Sequence, residues 1–186
     1  MDTRKDEVLM EAHNAGDAEA FPTLVARYLA PLYNFVSLYI RNEGDAEDIT
    51  QDVFVSAWKS AKSFDHSKRF KTWLFAIAKN AAFNWLKRKK PLAFADLASD
   101  ESGGAIVESI IDDAPLPEEL FERKDIAETL NRTLRTLSPL YQSVIVLHHK
   151  EELTFKEIAE LGGESVDTVK SRYRRALQLL RKTLVK

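Results

Sequence analysis

Apolar side chains recur at steps of three and four residues along most of the chain, the period of a helix with one buried face. The alternation of apolar and polar residues that marks a half-buried strand is scarce. We therefore predict an all-α protein. The predicted helices cover residues 3–14, 17–41, 45–61, 70–89, 121–136, 139–150, 154–161 and 166–184, and Pro31 is a point where the second helix could break.

The segment 91–120 interrupts the helical pattern. It contains three prolines and the run Ser102-Gly103-Gly104, and all its charged residues are acidic. This composition is typical of a linker. We expect two small helical domains joined by this flexible acidic linker, the first at residues 1–90 and the second at residues 121–186.

Charge is distributed in blocks, although the net charge of the 186-residue chain is only −2. Residues 43–58 and 91–121 carry acids and no base, whereas residues 68–90 carry eight bases and no acid. Residues 165–186 carry seven bases and one acid, Asp167. Blocks of one sign indicate charged partners such as nucleic acid.

The composition excludes several classes of protein. The chain contains no cysteine, so it has no disulfide, no thiolate nucleophile and no Cys-based zinc site. No apolar run approaches the ~20 residues of a membrane span, and the N-terminus lacks the apolar segment of a signal peptide. We expect a cytoplasmic protein without membrane insertion.

The stretch LTFKEIAELGGESVDTVKSRYRRALQLL predicts two helices and a short joint. Thr154 and Glu157 have the spacing of a capping box at the start of the first helix. Gly162 and Gly163 end that helix, because glycine readily adopts the left-handed conformation needed there. Ser165 is a suitable N-cap for the second helix. The layout is typical of a DNA-binding helix-turn-helix.

The second of these helices has two different faces. The stripe predicted to face the core consists of Val169, Tyr173, Ala176 and Leu180. The opposite, polar face consists of Asp167, Lys170, Ser171, Arg174, Arg175 and Gln178. A solvated basic helix would show the same pattern, but the capped helix and the glycine turn before it favour binding of duplex DNA.

The helix predicted at 45–61 carries an acidic face and has Asp45 as its predicted N-cap. The predicted core stripe consists of Ala46, Ile49, Val53 and Ala57. The acidic face consists of Asp48, Gln51, Asp52 and Val55. Such a face often serves only solubility, whereas an apolar Val55 rimmed by polar groups is typical of a docking patch. Both interpretations stay open at this level.

Residues 63–90 combine aromatic side chains with bases and asparagines. Aromatic rings can stack on unpaired bases, asparagine can bind a base edge, and lysine and arginine can hold phosphates. One stripe consists of Trp73, Ile77, Asn80, Asn84 and Lys87, and the predicted core stripe consists of Leu74, Ala78, Ala81 and Trp85. Phe64, Phe70 and Trp73 fit either the core or a binding site. The pattern favours a surface for single-stranded nucleic acid.

Four motifs in this order resemble the extracytoplasmic-function sigma factors of bacterial RNA polymerase. They are DAEDITQDVFVSAW, FKTWLFAIAKNAAFNWL, LSPLYQSVIVLHH and LTFKEIAELGGESVDTVKSRYRRA. The resemblance covers nearly the whole chain. It implies that the two domains are the second and fourth regions of a sigma factor, which directs core polymerase to promoters and has no catalytic activity or cofactor of its own.

The resemblance also implies partners and binding residues. Core RNA polymerase would bind through the clamp coiled coil of β′ and the flap of β, and an anti-sigma factor would act as inhibitor. The linker would thread toward the polymerase active site. The implied polymerase-binding residues are Asp45, Asp48, Gln51, Asp52 and Val55. The implied −10 promoter residues are Phe64, Phe70, Trp73, Asn80, Asn84, Lys87 and Arg88. The implied −35 promoter residues are Ser165, Thr168, Lys170, Ser171, Arg174 and Arg175.

Two stretches depart from the family pattern. Many members have Pro-Val-Gly where this chain has Ser165-Val166-Asp167, which places an acid beside the DNA groove. The loop DHSKR lies where members vary, so a −10 sequence preference is not carried over.

Two other classes of function fit parts of the sequence. A helix-turn-helix regulator would bind duplex DNA without polymerase, but the motifs at 45–60 and 63–90 argue against it. An enzyme or metal protein would need a constellation that the four histidines do not form, since His148 and His149 are adjacent and point to different helix faces. We predict neither a catalytic site nor a metal site.

The two-domain organisation predicts a form of inhibition. Two small domains on a flexible linker can be held together so that their binding surfaces are covered. We predict that contacts between the domains partly cover the DNA-binding faces of the free protein. On this hypothesis, isolated residues 121–186 bind promoter DNA more tightly than the full chain does.

Overall fold

The structure, a computed structural model, describes residues 2–89 and 133–184. The regular elements in these two ranges are all helical, so the all-α prediction is confirmed. The linker predicted at 91–120 and most of the helix predicted at 121–136 lie outside the described residues. No helix within the two ranges is long and apolar enough to cross a bilayer.

The first unit, residues 2–89, consists of α1 (Asp6–Asn14), α2 (Ala20–Val36), α3 (Glu43–Ser60) and α4 (Phe70–Lys89), with a 3₁₀ turn at Ala61–Ser63 after α3. Pro31 lies inside α2 and does not end it. The large rings of Phe35, Phe70 and Phe75 are fully buried between these helices. The helices therefore share one apolar core, as their three- and four-residue periodicity requires.

The starts of α3 and α4 show how side chains set the helix ends. Asn42 caps α3, since its Oδ1 accepts the backbone N–H of Asp45 at 2.9 Å. The predicted N-cap, Asp45, is therefore wrong by three residues, and Asp45 instead lies in the first turn, where an acid favours the helix dipole. At α4 the backbone N–H of Phe70 donates to Glu7 Oε1 at 2.9 Å, so α1 supplies a cap for α4.

The second unit, residues 133–184, contains α5 (Pro139–Ile145), a π-helical turn at Val146–Lys150, α6 (Phe155–Gly162) and α7 (Val166–Leu184). The predicted capping box of α6 is present: Thr154 Oγ1 accepts the N–H of Glu157, and Glu157 Oε2 accepts the N–H of Thr154 at 2.8 Å. Gly163 follows α6 with φ 67°, in the left-handed region. The predicted helix-turn-helix is confirmed.

The two units are packed against each other. Leu140, Leu147 and Ile158 of the second unit belong to the same apolar cluster as Phe35 and Tyr39 of the first. The contact runs mainly between α4 and α6. A separate small cluster, formed by Leu137, Ile145, Ala176, Leu177 and Leu180, holds α7 on α5. This small cluster holds α7 within the second unit, while Val169 of α7 and the apolar face of α6 belong to the cluster shared with the first unit.

Candidate nucleic-acid and polymerase surfaces

The polar face of α3 is exposed along its whole length. Asp48, Gln51 and Asp52 point to solvent, and the predicted core residues on the opposite side are buried. Val55 is 47% exposed, and one turn later Trp58 is 56% exposed. The sequence pattern did not single out Trp58, because an aromatic residue in an amphipathic helix is usually buried. Its position three residues after Val55 was the signal that places both side chains on one face. The exposed surface of α3 is therefore acidic with an apolar end.

The outer face of α4 carries the polar candidates for the −10 element. Asn80, Asn84, Lys87 and Arg88 are all exposed. They follow one another at helical spacing, and Arg88 Nε donates to the backbone oxygen of Asn84 at 3.4 Å. This exposed surface therefore presents two amides and two cations.

The aromatic candidates of this region lie mostly in the core, in contrast to the expectation that they stack on bases. Phe64 and Phe70 are buried, with ring centroids 6.0 Å apart, and Trp73 is half-buried against Phe64 at 5.1 Å. The Tyr28 ring covers Phe70 from the other side at 5.4 Å. In this conformation Phe64 and Phe70 are closed off from solvent, and of the three rings Trp73 alone is partly exposed.

The buried stripe of α4 is also displaced from its predicted position. Leu74 and Ala78 are buried as expected, but Ala82 and Leu86 are buried where Ala81 and Trp85 were predicted. Ala81 and Trp85 are half-buried instead. In the folded chain α4 packs against α6 as well as against the other helices of the first unit.

Most of the −35 candidates on α7 are exposed. Lys170, Ser171 and Arg174 point to solvent, and Arg175 is half-buried. Ser165 acts as the predicted N-cap, since its Oγ accepts the N–H of Thr168 at 3.0 Å and lies 2.8 Å from the Thr168 hydroxyl. These two hydroxyls are engaged with each other, and the neighbouring side chains of Asp167, Lys170 and Ser171 are exposed.

The core side of α7 contains a buried cation that we did not anticipate. Val169, Ala176 and Leu180 are buried as predicted, and Tyr173 is half-buried, which raises the pKa of its hydroxyl. Arg172 is buried beside them and donates to Glu164 Oε2 at 2.7 Å. In the sequence, the burial of Arg172 is indicated by its position one residue before Tyr173, on the core side of the helix.

The two adjacent histidines take part in packing. His148 Nδ1 lies 2.9 Å from the backbone oxygen of Leu153, and His149 Nε2 lies 2.8 Å from the hydroxyl of Tyr173. The His148 ring also stacks on Phe155 with centroids 4.4 Å apart. Among the residues that the structure describes, no group of three histidines or acids is arranged to hold a metal ion.

Comparison with known families divides the chain in the same way as the fold. Residues 24–91 match the model for Sigma-70 region 2, and residues 127–180 match the model for Sigma-70, region 4. A curated relative, the ECF RNA polymerase sigma factor SigW of Bacillus subtilis (strain 168), is 34% identical over 170 residues, which cover 91% of this chain and 91% of that protein.

Solved structures share the fold of the chain. CnrH, solved in complex with the cytosolic domain of CnrY, has a TM-score of 0.65 and 27% identity over 96% of each chain. The sigma factor RpoE of Bartonella quintana, solved with the anti-sigma factor NepR, shares the fold with a TM-score of 0.63 and 23% identity over 90% of this chain and 98% of that one. With both regions matched in order and a relative aligned over most of its length, the chain belongs to the ECF RNA polymerase sigma factors.

Proposed function

We propose that three exposed surfaces of this sigma factor divide the work of promoter recognition, and that the chain has no chemistry of its own. The observation that supports this proposal is the chemical difference between the surfaces. One is acidic with an apolar end, one combines amides with cations, and one is a basic face of a recognition helix. Each therefore suits a different partner.

The α3 surface is proposed to bind core polymerase. Its acids, Asp45, Asp48 and Asp52, would meet basic groups on the β′ clamp coiled coil. Val55 and Trp58, at the end of this surface, provide the apolar contact that a stable interface requires, because rim charges alone contribute little affinity.

The α4 surface is proposed to hold the opened −10 element. Asn80 and Asn84 can bind the edge of a base that has left the stack, and Lys87 and Arg88 can hold the adjoining phosphates. Capture of one base offsets the few kcal/mol lost when a base pair unstacks. The buried Phe64 and Phe70 would then act as support for this surface.

The α7 surface is proposed to read the −35 element in the major groove. Arg174 and Arg175 can form bidentate contacts with guanine, and Lys170 and Ser171 can contact bases or phosphate. Ser165 and Thr168 would hold the start of the helix in position through the cap they form.

The proposal includes an inhibitory protein partner and a cytoplasmic site of action, where core polymerase works. CnrH was solved with the cytosolic domain of another protein, CnrY, and this supports a partner of the anti-sigma kind for the present chain. Such a partner would cover the surfaces on α3 and α7 that polymerase and DNA otherwise bind.

Transcription with purified core polymerase tests the proposal. We expect run-off products from promoters upstream of the protein's own gene, and we expect Val55→Asp to lose the stable core complex because it places an unpaired charge in the apolar contact. The matched control is Val8→Asp, since Val8 is 44% exposed but lies on a different helix, α1.

Two outcomes would contradict the proposal. Silent promoters together with no core complex would overturn it, and duplex binding without any polymerase affinity would identify a polymerase-independent regulator instead. Equal loss of the complex in Val55→Asp and Val8→Asp would remove the role assigned to α3.

A further inference from the structure

The recognition helix α7 carries a single acid, Asp167, on a face that is otherwise basic or neutral. The side chain is exposed, and within residues 2–89 and 133–184 its carboxylate makes no hydrogen bond or ion pair. None of the contacts proposed for the −35 element involves this acid. A carboxylate on a surface that meets DNA is repelled by the phosphates, so its position calls for a compensating contact.

Asp167 lies on the line of α7 that points directly away from the core. With 3.6 residues per turn, this line is formed by Asp167, Ser171, Arg174 and Gln178, which follow one another at steps of four, three and four residues. All four side chains are exposed, whereas Val169, on the opposite side, is buried. The acid is therefore at the centre of the exposed face and not at its margin.

Cations flank this line on both sides. Lys170 is rotated by about 70° from it in one direction, and Arg175 by about 70° in the other. A recognition helix in the major groove has phosphate backbones at its sides and base edges in front of it. The two cations therefore offset the repulsion between Asp167 and the phosphates, and Asp167 itself faces the bases.

The backbone that carries Asp167 is held on both sides. Ser165 Oγ accepts the N–H of Thr168 at 3.0 Å, and this bond spans Asp167. Arg172 donates to Glu164 Oε2 at 2.7 Å, which fastens the residue before the cap to the helix itself. A short side chain on a fixed backbone is already organised for binding, so little freedom is lost when it contacts a base.

Cytosine is the base whose edge suits a carboxylate at this place. In the major groove it presents the N4 amino group as a donor and no acceptor. Adenine presents its amino group beside the N7 acceptor, while guanine and thymine present acceptors, and an acceptor repels a carboxylate. A carboxylate that faces the base edges therefore favours cytosine over the other three bases.

We propose that Asp167 is a specificity-determining residue of the −35 surface, and that it selects a cytosine by accepting a hydrogen bond from the N4 amino group. This inference rests on the proposed function and adds to it one base of the recognised sequence. The alternative is that Asp167 only stabilises the first turn of α7 through the helix dipole. That alternative predicts no base preference that depends on this side chain.

Transcription from a promoter library tests the inference with the full chain and core polymerase. The template is the promoter upstream of the protein's own gene with its −35 region randomised, and sequencing of barcoded transcripts gives the base preference at each position. The variants are Asp167→Asn and Asp167→Ala. The matched control is Glu152→Gln, which removes the charge of another exposed acid of the second unit, outside α7.

We expect the wild-type chain and Glu152→Gln to favour cytosine about tenfold at one −35 position, which is the range of one good base contact. Asp167→Ala should lose this preference. Asp167→Asn should favour adenine at the same position, because asparagine binds adenine N6 and N7. Preferences at the other positions should persist, and thermal unfolding checks that all four proteins are folded.

Three outcomes would overturn the inference. The first is a wild-type profile without a cytosine preference at any −35 position, and the second is retention of that preference by Asp167→Ala or Asp167→Asn. The third is an equal loss of preference at every position in Asp167→Ala, which would show that the acid only holds the helix start.

The same experiment separates this inference from the proposed function. If the wild-type chain initiates from the library and one of these three outcomes is found, the inference about Asp167 is wrong and the proposed function stands. If the wild-type chain neither binds core polymerase nor initiates from any template, the proposed function itself fails.

Discussion

At the scale of single residues, Glu152 has the most unusual backbone conformation in the described chain. Its φ is 56°, the one positive value at a residue other than glycine within residues 2–89 and 133–184. The turn directs the neighbouring Glu151 inward, where its side chain reaches Lys71. Leu153 N–H closes the turn by donating to Leu147 O at 2.9 Å. The strain at Glu152 is therefore tied to the placement of the Glu151 carboxylate beside Lys71.

Replacement of Glu152 by glycine should raise stability. A left-handed residue with a side chain costs roughly 1–2 kcal/mol, and the greater freedom of glycine in the unfolded chain offsets part of that gain. We expect a net increase of about 0.5 kcal/mol in the free energy of unfolding, measured by urea titration. The control Glu11→Gly, in the middle of α1, should lower it by about 1 kcal/mol. If Glu152→Gly and Glu11→Gly both lower the free energy of unfolding, the backbone strain assigned to Glu152 is contradicted.

At the scale of elements, α6 begins with a complete capping box and ends at a left-handed glycine. Both features follow from neighbouring residues, since a cap bonds to an N–H three positions away and a helix end needs one flexible residue. The face that α6 presents to α4 does not follow from these local rules. It depends on where α4 lies, and that is set by packing between the units.

Loss of the α6 cap should cost stability. Thr154→Ala removes the acceptor for the Glu157 N–H and the partner of the Glu157 carboxylate, so we expect a loss of about 1 kcal/mol in urea unfolding. Thr23→Ala is the control, because Thr23 lies inside α2 and its hydroxyl donates to the Glu19 carbonyl rather than capping a helix. A cost for Thr154→Ala no larger than that for Thr23→Ala would show that the cap is unimportant.

At the scale of the whole molecule, charge holds the two units together across a shared apolar contact. The pKa of Glu157 is lowered: burial raises it, but hydrogen bonds from Thr154 and the Arg69 guanidinium outweigh burial. The pKa of Lys68 is raised by its hydrogen bond to Glu160. The lowered carboxyl pKa stabilises the folded state at pH values above the ordinary pKa of 4.5. This stabilisation is lost as the pH falls through the pKa of the folded state. The raised lysine pKa stabilises the folded state at pH values below the ordinary pKa of 10.5. This stabilisation is lost as the pH rises through the pKa of the folded state.

The interface should therefore open at acid pH. We expect the radius of gyration of the wild-type chain to stay constant between about pH 5 and pH 10 and to increase below the ordinary carboxyl value. The variant Glu157→Gln/Glu160→Gln/Glu164→Gln should be expanded at every pH. Small-angle scattering measures the change, and circular dichroism shows that the helices persist. A wild-type radius unchanged in acid while helicity persists would contradict the role of these carboxylates.

The sequence by itself determined the order of the described helices, the capping box, the helix-turn-helix and the family, because each depends on the spacing of nearby residues or on motifs in order. It did not distinguish core aromatics from binding aromatics at Phe64 and Phe70, since both uses require the same residue types at the same helical spacing. Only the tertiary structure decided that point. It also decided the pairing of Lys79 with Glu164, 85 residues apart. Opposite charge blocks predict attraction, but only packing determines which carboxylate meets which cation.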